Sequence, residues 1–556
     1  MSSTDSDRKC YLGIDVGTGS ARAALFDARG TMLGMGTSPI EMFRPAEDFV
    51  EQSSEDIWRA CGEAVRKALA EGKIAPSQVR GIGFDATCSM AVLGENDEPV
   101  SVSPTGRDAQ NVIVWMDHRA VEQAGRINAQ GHEVLRYVGG VISPEMQTPK
   151  LLWLAEHAPQ TWKRAARFLD LPDYLTYRAT GNDTRSLCTT TCKWTYVARN
   201  GGWDAEYFRS IGLGALVDEG YARIGTRVRP MGEFVGVLTE GAANDLGLLP
   251  GTPVGVGIID AHAGGLGTLG MAIDGAVPDE AELQTRLALI GGTSSCHMAV
   301  SREARFVQGV WGPYESAMVP GLWLSEGGQS ATGALIDFTI GSHARAAELR
   351  EEGNRRGVRI ETLLGERLAS LADAHKLEFT GELVRDLHVL PDHHGNRSPR
   401  ADPTARGMVS GLKLDDGADS LARLYLATIQ GIAYGTRHII DAMSQSGYAI
   451  RTLVACGGGT KNPIFLREHA DATQCNVVLP KEPEAVLLGA AILGAVSSGD
   501  HRSIVSAMGA MSGAGTVITP SKKGGVRDFH DRKYQVFLAM YKHQMHYRSL
   551  MSGAPA

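Results

Sequence analysis

The chain has 556 residues, 43% of them hydrophobic, and its 67 glycines are typical of α/β proteins in which many strands turn tightly into helices. This length is too great for one hydrophobic core and predicts roughly two or three domains. The 55 basic and 63 acidic side chains give a net charge of −8 without a basic block, which argues against a nucleic-acid partner.

The N-terminal tail, residues 1–10, is polar and lacks the apolar segment of a secretory signal. No later run approaches the roughly 18 apolar residues of a membrane span, so we expect a cytoplasmic protein that does not bind membranes.

Residues 11–18 (YLGIDVGT) are predicted to form an apolar strand that ends in a turn of glycine, threonine and serine. Two further strands are predicted in residues 21–30 and 31–40, with a hairpin signal at Arg29 and Gly30. A helix is then predicted to begin near Ser54, and residues 79–87 (VRGIGFDAT) are typical of a buried strand.

A lone carboxylate, Asp260, follows the apolar strand predicted in residues 252–259 (TPVGVGII). It should emerge at the carboxyl end of that strand, where open α/β sheets place their ligands. Such a carboxylate can accept the proton of a hydroxyl group as that oxygen attacks a phosphate. Position matters more than base strength there, because the transition state is loose. His262, two residues further on, is interpreted as structural.

The same order of elements restarts after a linker at about residues 272–283, with residues 287–301 (LALIGGTSSCHMAVS) in place of the first strand and turn. A long helix is predicted over residues 421–444, followed by a strand that ends in three glycines. We therefore predict two lobes, residues 11–268 and 284–498. A C-terminal extension, residues 499–556, contains an amphipathic helix over residues 529–550 that is interpreted as a packing face.

The element order of three meandering strands, a helix and a further strand resembles the nucleotide-binding domains of actin, hexokinases and Hsp70-type chaperones. This resemblance implies an α/β fold of two ribonuclease H-like domains, of the actin and hexokinase ATPase type. The two domains would flank a deep interdomain cleft.

Three glycine-rich turns are candidates for nucleotide binding. Turns of this kind expose consecutive backbone N–H groups and small hydroxyls, which can surround a polyphosphate. The third turn leaves room for a flat adenine and its ribose against the backbone. Arg22 lies close enough to the first turn to reach a transferred phosphoryl group. The candidate residues are Gly17, Thr18 and Ser20 in the first turn, Gly292, Thr293 and Ser294 in the second, and Gly457, Gly458 and Gly459 in the third.

The cysteines are scattered along the chain, and none forms the CxxC pairs of zinc or redox motifs. They are Cys10, Cys61, Cys88, Cys188, Cys192, Cys296, Cys456 and Cys475. Cys188 and Cys192 could meet on one helical face, but two buried thiols are favoured over a metal site. The adjacent His393 and His394 are interpreted as loop residues, because no carboxylate or cysteine cluster lies near them in the sequence.

Five ordered segments resemble the FGGY family of carbohydrate kinases over residues 10 to about 500. They are residues 15–22 (first phosphate loop), 257–264 (catalytic base), 291–295 (second phosphate loop), 326–330 (signature segment entering the cleft) and 457–462 (adenosine motif). The resemblance implies that Asp260 is the general base and that the two phosphate loops hold ATP. It implies adenosine contacts for Gly457, Gly458 and Asn462, and a place on the ATP side for Gln329. It also implies Mg²⁺ held by Asp15 and Asp260, through water because this ion gives up its hydration reluctantly.

Within the family, residues 85–90 (DATCSM) resemble the segment of pentulose kinases assigned to D-ribulose, whereas L-ribulose kinases tend to carry an STGST-like segment. The implied sugar contacts are Asp85, Thr87, Cys88, Ser89, Lys193, Asp260 and Glu326. Residues 115–119 (WMDHR) resemble the family's W-x-D-x-R loop near the sugar. Gln430 departs from the family, where many members carry Glu, but it touches none of the implied catalytic positions.

The leading hypothesis is an ATP-dependent kinase that converts D-ribulose to its 5-phosphate, with L-ribulose, D-xylulose and ribitol as alternative substrates. A different class is a nonenzymatic ATP-binding protein of the actin or chaperone type, or a sugar sensor without turnover. The polar residues at the cleft positions, Asp85, Lys193, Asp260 and Glu326, argue against that class. Whether the chain forms a homodimer is left open.

Overall fold

The computed structural model describes residues 9–552, so residues 1–8 of the predicted tail and 553–556 of the predicted extension lie outside the described part. In chain order the strands of that part are β1 (Cys10–Val16), β2 (Ser20–Asp27), β3 (Met32–Pro39), β4 (Glu51–Gln52), β5 (Val79–Ala86), β6 (Met90–Leu93), β7 (Val112–Ile113), β8 (Arg167–Asp170), β9 (Arg185–Ser186), β10 (Val228–Arg229), β11 (Phe234–Val237), β12 (Pro253–Gly255), β13 (Ile258–Ile259), β14 (Arg286–Gly291), β15 (Ser295–Ser301), β16 (Trp311–Glu315), β17 (Trp323–Gln329), β18 (His388–Leu390), β19 (Met408–Ser410), β20 (Thr452–Gly457), β21 (Asn476–Pro480) and β22 (Ala514–Ile518).

The α-helices of the same residues are α1 (Ser54–Gly72), α2 (Val121–Gln130), α3 (Gln147–His157), α4 (Pro159–Arg164), α5 (Leu171–Thr180), α6 (Leu187–Lys193), α7 (Ala205–Ser210), α8 (Gly214–Asp218), α9 (Glu240–Leu246), α10 (Asp260–Leu269), α11 (Glu280–Leu283), α12 (Gly333–Gly341), α13 (Ala346–Arg356), α14 (Ile360–Ala374), α15 (Ala418–Gln445), α16 (Pro463–Thr473), α17 (Ala485–Ser497), α18 (Ile504–Met511) and α19 (Val526–Ser552). Short 3₁₀ turns lie at Pro76–Gln78, Glu133–Val138, Ala198–Asn200, Thr380–Val384 and Gly458–Lys461. Across residues 9–552, no helix combines the length and the apolar character that crossing a bilayer requires.

The first half of the chain is built on a sheet with the order β11-β12-β5-β1-β2-β3, and β13 also pairs with β5. Strands β1, β2 and β3 are antiparallel neighbours, whereas β5 runs parallel to β1. All seven residues of β1 are buried, as expected for a central strand covered on both faces by helices.

The second half repeats this plan in a sheet with the order β16-β17-β15-β14-β20-β21-β22. Strands β14, β15 and β17 are antiparallel neighbours, and β20 runs parallel to β14. The predicted duplication of an α/β unit is therefore confirmed. Strand β22, which belongs to the predicted C-terminal extension, pairs with β21 and forms one edge of the second sheet. The predicted lobe boundaries at residues 268 and 284 stay a prediction.

Local sequence signals explain where the helices begin and end. Helix α1 follows Ser53, whose hydroxyl accepts the backbone N–H of Asp56, and it ends at Lys73 in the left-handed conformation. The long helix predicted over residues 421–444 is present as α15. Helix α19 places Tyr534 and Phe537 against Tyr434 of α15, so the predicted amphipathic helix is a packing face.

Two helices cross between the halves and join them. Helix α10 of the first half packs against β14 of the second sheet, whereas α17 of the second half packs against β1 and β5 of the first sheet. The two helices also lie against each other, and a Cβ atom on Gly489 would overlap the carbonyl oxygen of Ala263. A Cβ atom on Gly83 would likewise overlap the carbonyl oxygen of Ala490. Direct backbone contact thus fixes the first turn of α10, where Asp260 lies.

Candidate active site

A cavity of about 320 Å³ lies between the two halves, at the carboxyl ends of β1, β5 and β14. Its size falls within the range of small-molecule sites. The side chains that line it include many of the residues predicted from the sequence. They are Asp15, Gly17, Thr18, Arg22, Thr87, Cys88, Lys193, Asp260, Gly292, Thr293, Ser294 and Glu326.

The first two glycine-rich turns both line the cavity, and hydrogen bonds hold each of them in place. In the first turn the Gly17 N–H donates to the Ser20 carbonyl at 3.0 Å, and the Thr18 hydroxyl accepts the indole N–H of Trp115 at 3.0 Å. In the second turn the Gly292 N–H donates to the Ser294 carbonyl at 2.8 Å. Ser20, one of the predicted loop residues, thus stabilises the first turn through its backbone carbonyl. It is not among the residues that line the cavity.

Asp260 is the first residue of α10, and its carboxylate lines the cavity. Its Oδ1 accepts the backbone N–H of Ala261 at 2.7 Å, which fixes the orientation of the side chain. Burial and the charge of Asp15 raise the pKa of Asp260 to about 6. A carboxylate with this pKa is ionised at neutral pH and is a stronger base than an exposed aspartate.

Asp85 lies beside Asp15 and is not among the residues that line the cavity. The two residues are register partners in β1 and β5, and Asp85 is fully buried. Burial and the charges of Asp15 and Asp260 raise the pKa of Asp85 well above its ordinary value, which favours the protonated form of this carboxyl group. Its predicted contact with a sugar therefore stays a prediction.

Arg22 is engaged by two carboxylates from different halves of the chain. Its Nε donates to Oδ2 of Asp15 at 2.8 Å, its Nη2 bonds to the same oxygen, and its Nη1 donates to Oε2 of Glu484 at 2.8 Å. Glu484 directly precedes α17. The guanidinium predicted to reach a phosphoryl group therefore forms an ion-pair bridge between the halves.

The segment that follows β5 contributes two side chains to the cavity and one to its support. Thr87 and Cys88 line the cavity, whereas Ser89 is buried behind them. The Ser89 hydroxyl accepts the backbone N–H of Trp115 at 3.1 Å and lies 2.9 Å from the Thr87 hydroxyl. Ser89 thus positions Thr87 and Trp115, which differs from the sugar contact predicted for it.

The third glycine-rich turn lies beside the second at the carboxyl end of the sheet, because Gly457 and Gly291 are register partners in the parallel strands β20 and β14. Gly457 has a φ of +91°, and a Cβ atom there would overlap the carbonyl oxygen of Gly291. Asn462 caps α16 by accepting backbone N–H groups and donates to the hydroxyl of Tyr425 at 2.8 Å. These residues, with Gly458 and Gly459, lie outside the lining of the central cavity, so their adenosine contacts stay a prediction.

Gln329 is turned away from the cavity. Its Nε2 donates to the carbonyl of Ile432 at 3.0 Å and to the hydroxyl of Thr436 at 3.1 Å, both on α15. This side chain therefore anchors the end of β17 to α15, in place of the ATP contact predicted for it.

The lining residues that escaped the sequence analysis include Glu145, Trp311 and Arg397. The Lys193 Nζ lies 4.7 Å from the centroid of the Trp311 ring, and the Arg397 Cζ lies 5.4 Å from it, so two cations flank one indole. These residues are far apart in the chain and follow no spacing rule. The loop of Arg397 drew attention only through His393 and His394.

The comparisons with known proteins agree with this geometry. The model of the N-terminal domain of the FGGY family of carbohydrate kinases matches residues 10–267, and that of its C-terminal domain matches residues 287–498. A human protein described as FGGY carbohydrate kinase domain-containing is 50% identical over 546 residues, which cover 98% of each chain. A D-ribulokinase of Saccharomyces cerevisiae is 39% identical over 525 residues, which cover 90% of this chain and 73% of the relative. The crystal structure of a xylulose kinase from Rhodospirillum rubrum has a TM-score of 0.77 at 20% identity, covers 97% of this chain and 99% of that one, and confirms the predicted fold class.

Proposed function

Because this chain belongs to the FGGY family of carbohydrate kinases, we propose that it transfers the γ-phosphoryl group of ATP to the terminal hydroxyl of D-ribulose. The proposed reaction rests on the position of Asp260, whose carboxylate lines the cavity together with both phosphate turns. The choice of D-ribulose is supported by residues 85–90 and by the similarity to the yeast D-ribulokinase. The product is D-ribulose 5-phosphate.

The two turns bind the phosphates of ATP. Thr18 and Thr293 offer hydroxyls, and the backbone N–H groups of Thr293 and Ser294 offer further donors in the second turn. Because the transition state of phosphoryl transfer spreads charge over the equatorial oxygens, such fixed donors stabilise it without reorganising.

Asp260 acts as the general base. Since Oδ1 already accepts the N–H of Ala261, the free Oδ2 takes the proton of the sugar hydroxyl as its oxygen bonds to the γ-phosphorus and the bond to ADP breaks. Lys193 donates to sugar hydroxyls and Glu326 accepts from them, and both line the same cavity. Fixed donors and acceptors of this kind discriminate between sugars that differ in one hydroxyl.

Asp15 and Asp260 would hold Mg²⁺, since their carboxylate oxygens are the donors that this ion prefers. Contact through water fits better than direct contact at Asp15, because its Oδ2 is engaged by Arg22. When bound, the ion neutralises charge on the phosphates.

Coupled ADP release across a panel of sugars tests the proposed substrate. We expect the highest kcat/KM with D-ribulose, above those with L-ribulose, D-xylulose, ribitol and glycerol. The same panel with Asp260→Asn, purified in parallel, measures the background from contaminating kinases. A higher kcat/KM with another sugar would contradict the choice of D-ribulose while leaving the kinase chemistry intact. If no sugar raised ADP release above background, the alternative of a nonenzymatic binding protein would replace the kinase proposal.

The rate should fall on the acidic side as Asp260 becomes protonated. Only the ionised carboxylate accepts a proton, so we expect kcat/KM to fall about tenfold per pH unit below about 6, where the pKa of Asp260 lies. The measurement is a pH profile of D-ribulose phosphorylation with the stability of the enzyme checked at each pH. The residual rate of Asp260→Asn should lack this acidic limb, and a limb of the same midpoint in that variant would assign the titration to another group.

A further inference from the structure

A buried cluster of four side chains lies beside the cavity, at the junction of the two halves. Cys188 and Cys192 stand one turn apart on α6, His262 is on α10 and Glu326 is on β17. The two sulfurs and a ring nitrogen of His262 all lie within 4.8 Å of one another. The proposed kinase mechanism uses neither the thiols nor the imidazole. It uses Glu326 as an acceptor of sugar hydroxyls, a role that Oε1 can fill while Oε2 lies beside His262.

The contacts within this cluster converge on one ring nitrogen. His262 Nε2 lies 3.8 Å from Sγ of Cys192 and 3.6 Å from Oε2 of Glu326. Oε2 of Glu326 is buried and has no hydrogen-bond partner. Buried polar atoms are rarely left unpartnered, because each such atom costs free energy. The cluster therefore has unused ligand capacity.

Cysteine binds metal ions as its thiolate, so zinc binding would release the thiol protons of Cys188 and Cys192.

We propose that Cys188, Cys192, His262 and Glu326 form a binding site for Zn²⁺. In a tetrahedral zinc site, with Zn–S bonds of about 2.3 Å and Zn–N or Zn–O bonds of about 2.0–2.2 Å, neighbouring ligand atoms lie roughly 3.3–3.8 Å apart. The separations of 3.6 and 3.8 Å around His262 Nε2 are close to that geometry, and both Cys188 and Glu326 would move closer to the other ligands when the ion binds. Two soft sulfur ligands select against Mg²⁺, so this site differs in kind from the carboxylates Asp15 and Asp260.

The four ligands come from both halves of the chain. Helices α6 and α10 belong to the first half, whereas β17 belongs to the second sheet. A bound zinc ion would thus join the halves beside the cavity. The sequence alone favoured two buried thiols at residues 188 and 192, since no spacing connects them to residue 262 or 326.

The test begins with the untagged full-length protein, stripped with a chelator and reloaded with Zn²⁺. We expect it to retain about one zinc ion per chain after gel filtration, as measured by inductively coupled plasma mass spectrometry. The X-ray absorption fine structure of this zinc should show two sulfur atoms at about 2.3 Å and two lighter atoms at about 2.0–2.2 Å. This readout needs no variant. Less than half an ion per chain, or a first shell without sulfur, would overturn the proposal.

A matched pair of variants assigns the sulfur atoms to this cluster. Cys192→Ser should lower zinc affinity at least about tenfold and remove one sulfur from the first shell, since a hydroxyl replaces a thiolate ligand. Cys475→Ser changes another buried cysteine, whose Sγ lies near the carbonyls of Ile450 and Thr473, and should retain the zinc of the parent. Equal zinc binding by both variants would show that the ion sits elsewhere. Should Cys192→Ser fail to fold, Cys188→Ser repeats the comparison.

Discussion

We expect Asp260→Asn to lower kcat for D-ribulose phosphorylation by about 10²–10⁴-fold, the usual contribution of a general base. The amide keeps the size of the side chain and can still accept the N–H of Ala261, so the geometry of the α10 terminus is retained. It cannot take a proton from the attacking hydroxyl. The KM for the sugar should therefore change by no more than a few fold, because Lys193 and Glu326 remain in the cavity.

Asp279→Asn is the control for this substitution. Asp279 is an exposed N-cap residue of α11, and its side chain accepts the N–H of Glu282. Asparagine serves this capping role as well as aspartate does, so the control should keep the kcat of the parent within about twofold. A kcat for Asp260→Asn close to that of the control would remove Asp260 from the role of base.

The parts of the site that were predictable from the sequence share a local signal. The unbroken apolar run of β1 and the glycine, threonine and serine that follow it define both a strand and its turn, without reference to any distant residue. The same holds for Asp260, which directly follows an apolar run and begins a helix. Both the duplicated fold and the central place of Asp260 in the cavity could therefore be anticipated.

The contacts of other site residues could not be predicted from the sequence, because their partners lie far away in the chain. Arg22 lines the cavity, and its contact with a phosphate stays a prediction, but its ion pairs with Asp15 and with Glu484, 462 residues later, could not be predicted. Asp85 was expected to face a sugar, but the parallel register of β1 and β5 places it beside Asp15, where it is buried and does not line the cavity. No local pattern states which strand will lie beside β5, so these outcomes follow only from the assembled sheets.

The packing of α17 is a further case. The apolar character of residues 485–497 indicates a buried helix but does not indicate which sheet covers it. In the structure α17 packs on the sheet of the other half, and glycines at its contacts bring backbone against backbone. The contact between Gly489 and the backbone of Ala263 is thus a specific point at which the two halves depend on each other.

We expect Gly489→Ala to destabilise the protein by about 3 kcal/mol or more. The added methyl group would overlap the carbonyl oxygen of Ala263, and a backbone atom cannot move aside as a flexible side chain does. Overpacking of a buried site costs about 1–3 kcal/mol even where side chains can adjust. The gain in helix propensity on replacing glycine by alanine, roughly 1 kcal/mol, is too small to offset this cost. The measurement is the midpoint of thermal and urea unfolding against the parent.

Gly125→Ala separates the effect of packing from the effect of helix propensity. Gly125 lies within α2, is exposed, and a Cβ atom there would meet nothing within 4 Å. This control makes the same chemical change in a helix without the overlap, so it should leave the unfolding midpoints unchanged or raise them. Opposite signs for the two variants would identify the contact between α10 and α17 as the cause. If Gly489→Ala were as stable as Gly125→Ala, the backbones of α10 and α17 would not be in direct contact. That contact could then not be what fixes the position of Asp260.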